Sequence, residues 1–299
     1  MISLADVYLK DFGYFKGKSM KISQLVSEKH IRNDTEYLYA EGYEEAAVAD
    51  EPPIEFIEKN INIPHESELL IYNVTFPSNT IYCTEKGDAE ANLFYSGEKL
   101  ITDKKRTDMR YIGISQQGCT GLMSAVDIGS ARILMKRNRN VICISNDILP
   151  KGIYRDMKKQ KMLLSDTVSY VELSAEPAPY RLLKAADKSV AAADFFGIAA
   201  ATEALIAELC DGFTVPNKLE NIIFPNHWLK VWRSFLLRSK YKSRFTDSSI
   251  KTLAHGLSAD GICNLLLAEE RGCITSGEKQ AVISYGYGGH LRGLLIEKQ

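Results

Sequence analysis

Residues Tyr111 to Asp147 constrain the fold more than any other stretch of this chain. Tyr111-Ile112-Gly113-Ile114-Ser115 is a short apolar run of strand length. Gln116-Gln117-Gly118-Cys119-Thr120-Gly121 then turns tightly. Leu122, Met123, Val126, Ile128, Ile133 and Leu134 follow at roughly helical spacing, with Ala125 and Ala131 between them. Arg132, Lys136, Arg137 and Arg139 crowd the end of that helix, where cations suit its dipole. Val141-Ile142-Cys143-Ile144-Ser145 reads as a second strand. A strand, an elbow, a helix and a strand in this order predict an α/β architecture.

The elbow places Cys119 at the amino end of a buried helix. Unpaired backbone N–H groups there stabilise a thiolate and can lower a thiol pKa below its free value of about 8.5. Position alone also fits a buried small residue, the usual role of a free cysteine. Five other cysteines compete for attention: Cys83, Cys143, Cys210, Cys263 and Cys273. Gly118 and Gly121 shift the balance towards function, because they let the backbone turn sharply and a ligand approach closely.

The chain has 299 residues, 45% of them hydrophobic, which suffices for one broad domain or two fused halves. A formal net charge of −1 argues against bulk nucleic-acid binding. No apolar run approaches the roughly 18 residues of a membrane span. Met1-Ile2-Ser3-Leu4-Ala5-Asp6 lacks the basic-then-apolar plan of a signal peptide. The cysteines form no C-x-x-C pair and no zinc spacing, so reduced thiols in the cytoplasm are expected.

The segment Gln116 to Gly121, with Ser124-Ala125 behind it, resembles the nucleophile segment of the thiolase superfamily. The branch it resembles most is the β-ketoacyl-acyl-carrier-protein synthase III group, in a divergent, specialised-metabolism form. Gly42-Tyr43 followed by Ala47-Val48-Ala49-Asp50-Glu51-Pro52 looks like the front of such relatives. The resemblance implies a five-layered αβαβα thiolase-like fold of two similar halves, usually as a homodimer. A turn at Glu176 to Ala178 divides the chain into 1–175, carrying the cysteine, and 176–299, carrying the histidines and a glycine-rich loop. Relatives carry Gly-Asp-Gly-Ala-Gly where this chain reads Ser165-Asp166-Thr167-Val168-Ser169, so the usual backbone path is not expected here.

Elsewhere, periodicity predicts a short helix over Ser23–Glu28, a helix from about Pro53, a buried strand at Leu69–Phe76, and a possible helix at Ala89–Tyr95. Val168–Leu173 alternates as a strand, and Ile198–Cys210 is a helix closed by Asp211-Gly212. A strand at Asn221–Phe224, a basic helix from Trp228 to Lys240, a helix over Ile262–Glu270 and a closing hairpin around Tyr285-Gly286-Tyr287-Gly288-Gly289 complete the plan. No internal sequence repeat is visible.

His227 follows the Asn221–Phe224 strand, where a histidine can hold a proton or donate to a thioester oxygen, or simply be a satisfied cap. The family reads Pro-His there, and Pro225-Asn226-His227 puts the histidine one place late. His255 stands where relatives carry a catalytic asparagine, and a divergent branch reads Gly-His with Asp at +5, as His255 and Asp260 do here. Either His255 or Asp260 completes a Cys119–His227 set; alternatively Asp260 caps a helix beginning near Gly261. The glycine-rich loop resembles the family's closing run, which implies an oxyanion hole from the backbone N–H groups of Cys119, Tyr287 and Gly288.

Arg233, Arg238, Lys240 and Lys242 lie among aromatic residues on the basic helix and just past its end. They read either as a solvated face or as a docking patch for an acidic carrier protein or coenzyme A phosphates. The resulting expectation is an acyltransferase or ketosynthase-like enzyme that forms a Cys119 acyl thioester and passes the acyl group on. It needs no cofactor or metal beyond the acyl-CoA or phosphopantetheine-bound substrate, and no nucleic acid or membrane. The resemblance places it in a polyketide, fatty-acid-like or hybrid natural-product pathway. The alternatives are a catalytically weak partner subunit of a related synthase, or a thioesterase.

Overall fold

The computed structural model describes residues 7–79, 96–106, 108–190, 194–239, 241, 244–245, 248–286 and 288–299. The first part of the chain forms β1 (Tyr8–Lys16), β2 (Lys18–Lys21), α1 (Ile22–Ser27), α2 (Glu36–Glu41), β3 (Glu45–Val48), α3 (Pro53–Asn60) and β4 (Leu69–Val74). There follow α4 (Ser96–Asp103), β5 (Arg110–Ser115), α5 (Gly121–Leu134), β6 (Asn140–Asn146), β7 (Asp156–Met157), β8 (Met162–Leu163) and β9 (Thr167–Ser174). The second part forms β10 (Tyr180–Ser189), α6 (Phe195–Cys210), β11 (Asn221–Ile223), α7 (Leu229–Arg238) and β12 (Arg244–Phe245). The chain ends with α8 (Ile250–Leu253), α9 (Asp260–Glu270), β13 (Lys279–Gly286) and β14 (His290–Lys298). The helix expected at Ala89–Tyr95 lies outside the described residues.

The main sheet runs β12-β11-β13-β14-β10-β1-β9-β6-β4-β5. Tyr8↔Arg181 and Leu9↔Tyr180 pair its two five-stranded parts, and Leu182 N–H donates to the Val7 carbonyl at 2.9 Å beside them. Outward from that joint both parts repeat one plan. β1, β9, β6, β4 and β5 match β10, β14, β13, β11 and β12, with antiparallel pairings near the joint and parallel ones at the rim.

Strand side chains alternate between faces, and the alternation here separates layers. Leu69 and Ile71 join a central core with Met123 and Val126 of α5 and Ile262 and Leu265 of α9. Leu70 and Tyr72 point the other way, packing with Ile57 of α3 and Leu100 of α4. In the second part Ile223 faces the centre, while Ile222 packs with Leu205 of α6 and Trp232 of α7. The order is therefore helices, sheet, helices, sheet, helices: five layers, as expected.

Small residues let the central helices approach. A Cβ on Gly121, the first residue of α5, would stand 2.1 Å from Asn73 Nδ2. One on Gly261 would meet Met123 Cε at 2.8 Å. Neither position has space for a larger residue without moving its neighbour. No described helix is long and apolar enough to cross a membrane.

Candidate active site

The loop from β5 into α5 bends through left-handed backbone at Gln116 (φ 63°) and Gly118 (φ 51°). It leaves Cys119 in a short 3-10 turn just ahead of α5, 7% exposed. Neighbouring elements pin this elbow. Ser284 Oγ of β13 donates to the Cys119 carbonyl at 2.5 Å, and Ser258 Oγ donates to the Gly118 carbonyl at 3.3 Å. Leu149, Leu164 and Leu257 form an apolar collar around the cysteine.

His255 meets the cysteine directly. Its Nε2 lies 3.3 Å from Cys119 Sγ, and its Nδ1 lies 2.5 Å from Asp260 Oδ2. Both side chains are buried. The histidine is delivered by an unusual backbone at Ala254 (φ 55°, ψ −144°), a region that glycine tolerates and other residues rarely enter. It is then held in a parallel bridge beside Leu164: His255 N–H donates to the Leu163 carbonyl at 2.9 Å, and Ser165 N–H donates to the His255 carbonyl at 3.0 Å. Thr167 Oγ1 donates to the Gly256 carbonyl at 2.8 Å. The hydroxyls of Ser165 and Thr167 thus tie down a path that glycines shape in the resembled family; Ser165 Oγ donates to the Leu253 carbonyl.

Asp260 is the first residue of α9, and its side chain makes no helix-capping bond. Oδ1 accepts from Gly256 N–H at 2.7 Å, and Oδ2 accepts from Asn226 N–H at 2.8 Å as well as facing His255. The carboxylate therefore joins the two loops that carry the histidines.

His227 stands across the site, its ring centroid 4.4 Å from that of His255. Its carbonyl accepts Trp232 Nε1–H at 2.8 Å, fixing the main chain. Its buried Nδ1 has no hydrogen-bond partner among the described residues. Asn226 braces this loop by donating through Nδ2 to the Ala254 carbonyl at 2.7 Å. The register shift of the histidine does not keep it out of the site.

The two imidazoles are driven apart electrostatically. Burial disfavours an imidazolium at His255, but Asp260 and Cys119 override it and push the pKa up to about 10. At His227 burial, reinforced by repulsion from His255, holds the pKa well below the usual histidine value. Cys119, Met162, His227, Trp228, His255 and Tyr285 line a chamber of about 10 Å³.

His227, His255 and Asp260 also lie close enough to bridge a metal ion, with ligand atoms within 4.8 Å of one another. Both Asp260 oxygens and His255 Nδ1 are already engaged in hydrogen bonds, however, which link Cys119, His255 and Asp260 in a row.

Of the proposed oxyanion donors, Tyr287 lies outside the described residues and Gly288 is at the exposed hairpin tip. Gly286, the last residue of β13, lies next to the elbow, its Cα 3.9 Å from where a Gly118 Cβ would stand. Arg233 and Arg238 are exposed on α7, Arg238 lying 5.3 Å over the Phe195 ring. Lys240 and Lys242 lie outside the described residues. Sequence reasoning did not single out Asn226, Ala254 or Thr167, which contribute side-chain bonds to loop carbonyls and a backbone turn that no motif announces.

No family model and no curated protein matches this chain. Solved structures match it over nearly its whole length. The acyltransferase ChlB3 superposes with a TM-score of 0.78 at 16% identity, covering 98% of each chain. The 3-oxoacyl-[acyl-carrier-protein] synthase III of Aquifex aeolicus gives 0.75 at 16% identity, covering 97% of this chain and 99% of its own. A variant of Xanthomonas campestris OleA gives 0.73 at 9% identity, covering 99% of each. At such identities the likeness is one of fold.

Proposed function

From this thiolase-like fold and the relay it carries, we propose that the protein is an acyltransferase that holds its acyl group as a thioester on Cys119. The contact of Cys119 Sγ with His255 Nε2, backed by Asp260, is the observation that supports this most. In this reading the donor is an acyl thioester of a carrier protein or coenzyme A. Cys119 Sγ bonds to the acyl carbon, the donor's C–S bond breaks, and the proton on His255 passes to the departing sulfur. Neutral His255, its Nδ1–H held by Asp260, then takes a proton from the acceptor as the acceptor bonds to the acyl carbon. The Cys119 C–S bond breaks with its electron pair on sulfur. Backbone N–H groups around Cys119 and Gly286 stabilise the oxyanion. Neutral His227 offers a hydrogen bond to a substrate carbonyl.

A carboxylate-backed histidine suits an acceptor that must lose a proton, such as an alcohol or amine. Decarboxylation of a malonyl thioester instead needs hydrogen-bond donors for an enolate, with no proton to remove. The reading therefore favours ester or amide formation over carbon–carbon bond formation, in a polyketide, fatty-acid-like or hybrid natural-product pathway. No step calls for a cofactor beyond the thioester substrate. Arg233 and Arg238 are proposed to meet the acidic carrier. A homodimer is proposed across β5, the last strand of the sheet, whose Tyr111, Ile112 and Ile114 are half-buried.

The test is a panel of acyl thioesters followed by mass spectrometry of the intact protein. An adduct on Cys119 that disappears faster with an added alcohol or amine than with buffer alone is the expected result. An adduct lost only to water makes the enzyme a thioesterase, and no adduct with any donor overturns the reading.

A further inference from the structure

Two cavities meet at Trp228. The inner one is the chamber of about 10 Å³ at Cys119, roughly the space of one water molecule. The outer one is a surface cleft of about 330 Å³ bounded by Glu41, Lys159, Gln160, Lys161, Lys230 and Val231. Trp228 lines both. The wall opposite it is also shared, because Gln160 and Lys161 face the cleft while Met162 faces the chamber.

One hydrogen bond clasps these walls together: Trp228 Nε1–H donates to the Gln160 carbonyl at 3.1 Å. The indole rests 5.2 Å from both the His227 and Tyr285 rings, centroid to centroid. Its backbone is left-handed (φ 55°, ψ 39°), a conformation bulky residues rarely adopt and one that recurs at ligand clamps and switch points.

A chamber the size of one water has no room for the arm of a donor thioester, so reaching Cys119 from the cleft requires a side chain to move. Resting on the acyl-transfer reading above, we propose that Trp228 is a specificity-determining gate that selects the acceptor over water. It leaves the Gln160 carbonyl to admit a slender thioester arm from the cleft, then closes over the acyl-cysteine. Closure suppresses the competing hydrolysis. In that reaction a water oxygen bonds to the acyl carbon, the C–S bond breaks with its electron pair on Cys119, and the water's proton goes to His255.

The test compares wild type, Trp228→Phe and Trp228→Ala, with thermal melting as the check on folding. Labelling of Cys119 by a bulky maleimide is timed by peptide mass spectrometry, with half-exposed Cys273 as internal reference. In parallel, the half-life of acetyl-Cys119 is followed after a brief pulse of an acetyl thioester. A gate that is open in a minor population of wild type predicts about tenfold or more faster labelling in Trp228→Ala, and a correspondingly shorter acetyl half-life. Cys273 labelling should stay constant. Trp228→Phe keeps the bulk but loses the N–H donor, and should fall between the two. It carries the comparison if the alanine variant does not fold. Labelling and half-life within twofold of wild type in the folded variants overturn the gate while leaving acyl transfer standing. Faster labelling with no acetyl adduct in any of the three proteins supports the gate and removes acyl transfer.

Discussion

His227 and His255 face each other with ring centroids 4.4 Å apart and favour opposite charge states. The difference comes from their partners. His255 is hydrogen-bonded to Asp260 and faces Cys119, whereas His227 is buried, its Nδ1 has no hydrogen-bond partner among the described residues, and a charged imidazole lies across from it. In the acyl-transfer reading, the site thus provides a proton carrier and a neutral hydrogen-bonding group for the same acyl carbon.

This arrangement makes Asp260 the first residue to test. Asp260→Asn keeps the size and an acceptor oxygen but removes the charge that raises His255. The His255 pKa, about 10 in the native protein, should fall. The contribution of its charged form to folding is fully present below about 6.5, the unperturbed value, and is lost as pH rises through about 10. In the variant that loss should move to lower pH. Acyl transfer should drop by about 100- to 10,000-fold, the usual cost of disabling a positioned acid–base group. Transfer within a few-fold of wild type, with an unmoved pH profile, would take Asp260 out of the relay.

Much of this was legible in the sequence, and the limits have physical causes. Periodicity located β4 and β6 because both faces of these strands are buried and apolar residues run along them, β5 from the short apolar run at Tyr111–Ile114, and α5 from apolar residues recurring at helical spacing. It gave no warning of β10, where Lys184, Asp187 and Lys188 interrupt the alternation. The repeated strand order of the two sheet parts has no counterpart in residue identity, because connectivity and face alternation do not require the same side chains. A five-residue spacing could not decide between His255 and Asp260 as the third group. The turn at Ala254 brings both into line, one behind the other.

Cys119 should be the only described cysteine that readily takes an acyl group. Burial pushes the thiols of Cys143 and Cys263 far up, and that of Cys210 to about 11, so their reactive thiolates are scarce at neutral pH. Cys119 alone has a histidine against its sulfur. Digestion after an acyl-thioester pulse locates the label. An acyl group on Cys143, Cys210, Cys263 or Cys273 with Cys119 bare would end the acyl-enzyme reading.

The Arg155–Asp166 pair should matter for stability beyond its immediate contacts. Two guanidinium nitrogens reach the two carboxylate oxygens at 2.8 and 2.5 Å, and both residues are buried. Asp166 also accepts Ala49 N–H and Leu149 N–H, each at 2.8 Å. Arg155→Met leaves that carboxylate buried without its countercharge, a change that typically costs about 3–5 kcal/mol. Urea unfolding measures it. A loss below about 1 kcal/mol, the range of exposed pairs, would show that the pair is not isolated from solvent.

Asp147 supplies a pH test that is independent of the histidines. It is fully buried at the end of β6, where it accepts Thr75 Oγ1, while its Oδ2 has no partner among the described residues. Burial pushes its pKa from 3.8 up to about 7, against hydrogen bonds from Thr75, Ser145 and Ser258 that favour the carboxylate. The native state therefore keeps a proton that the unfolded chain releases above about pH 4, and stability falls as pH rises from there to about 7. Asp147→Asn cannot ionise. His227 and His255 titrate in both proteins, so their contributions cancel in the difference between the two stability curves. Relative to its value near pH 4, that difference should shift in favour of the variant by up to the order of 4 kcal/mol by pH 8, flattening above pH 7. Unfolding curves at several pH values for the two proteins decide it. If they stay parallel from pH 4 to 8, Asp147 ionises as freely in the fold as in the open chain, and the buried network around Thr75 and Ser258 admits water.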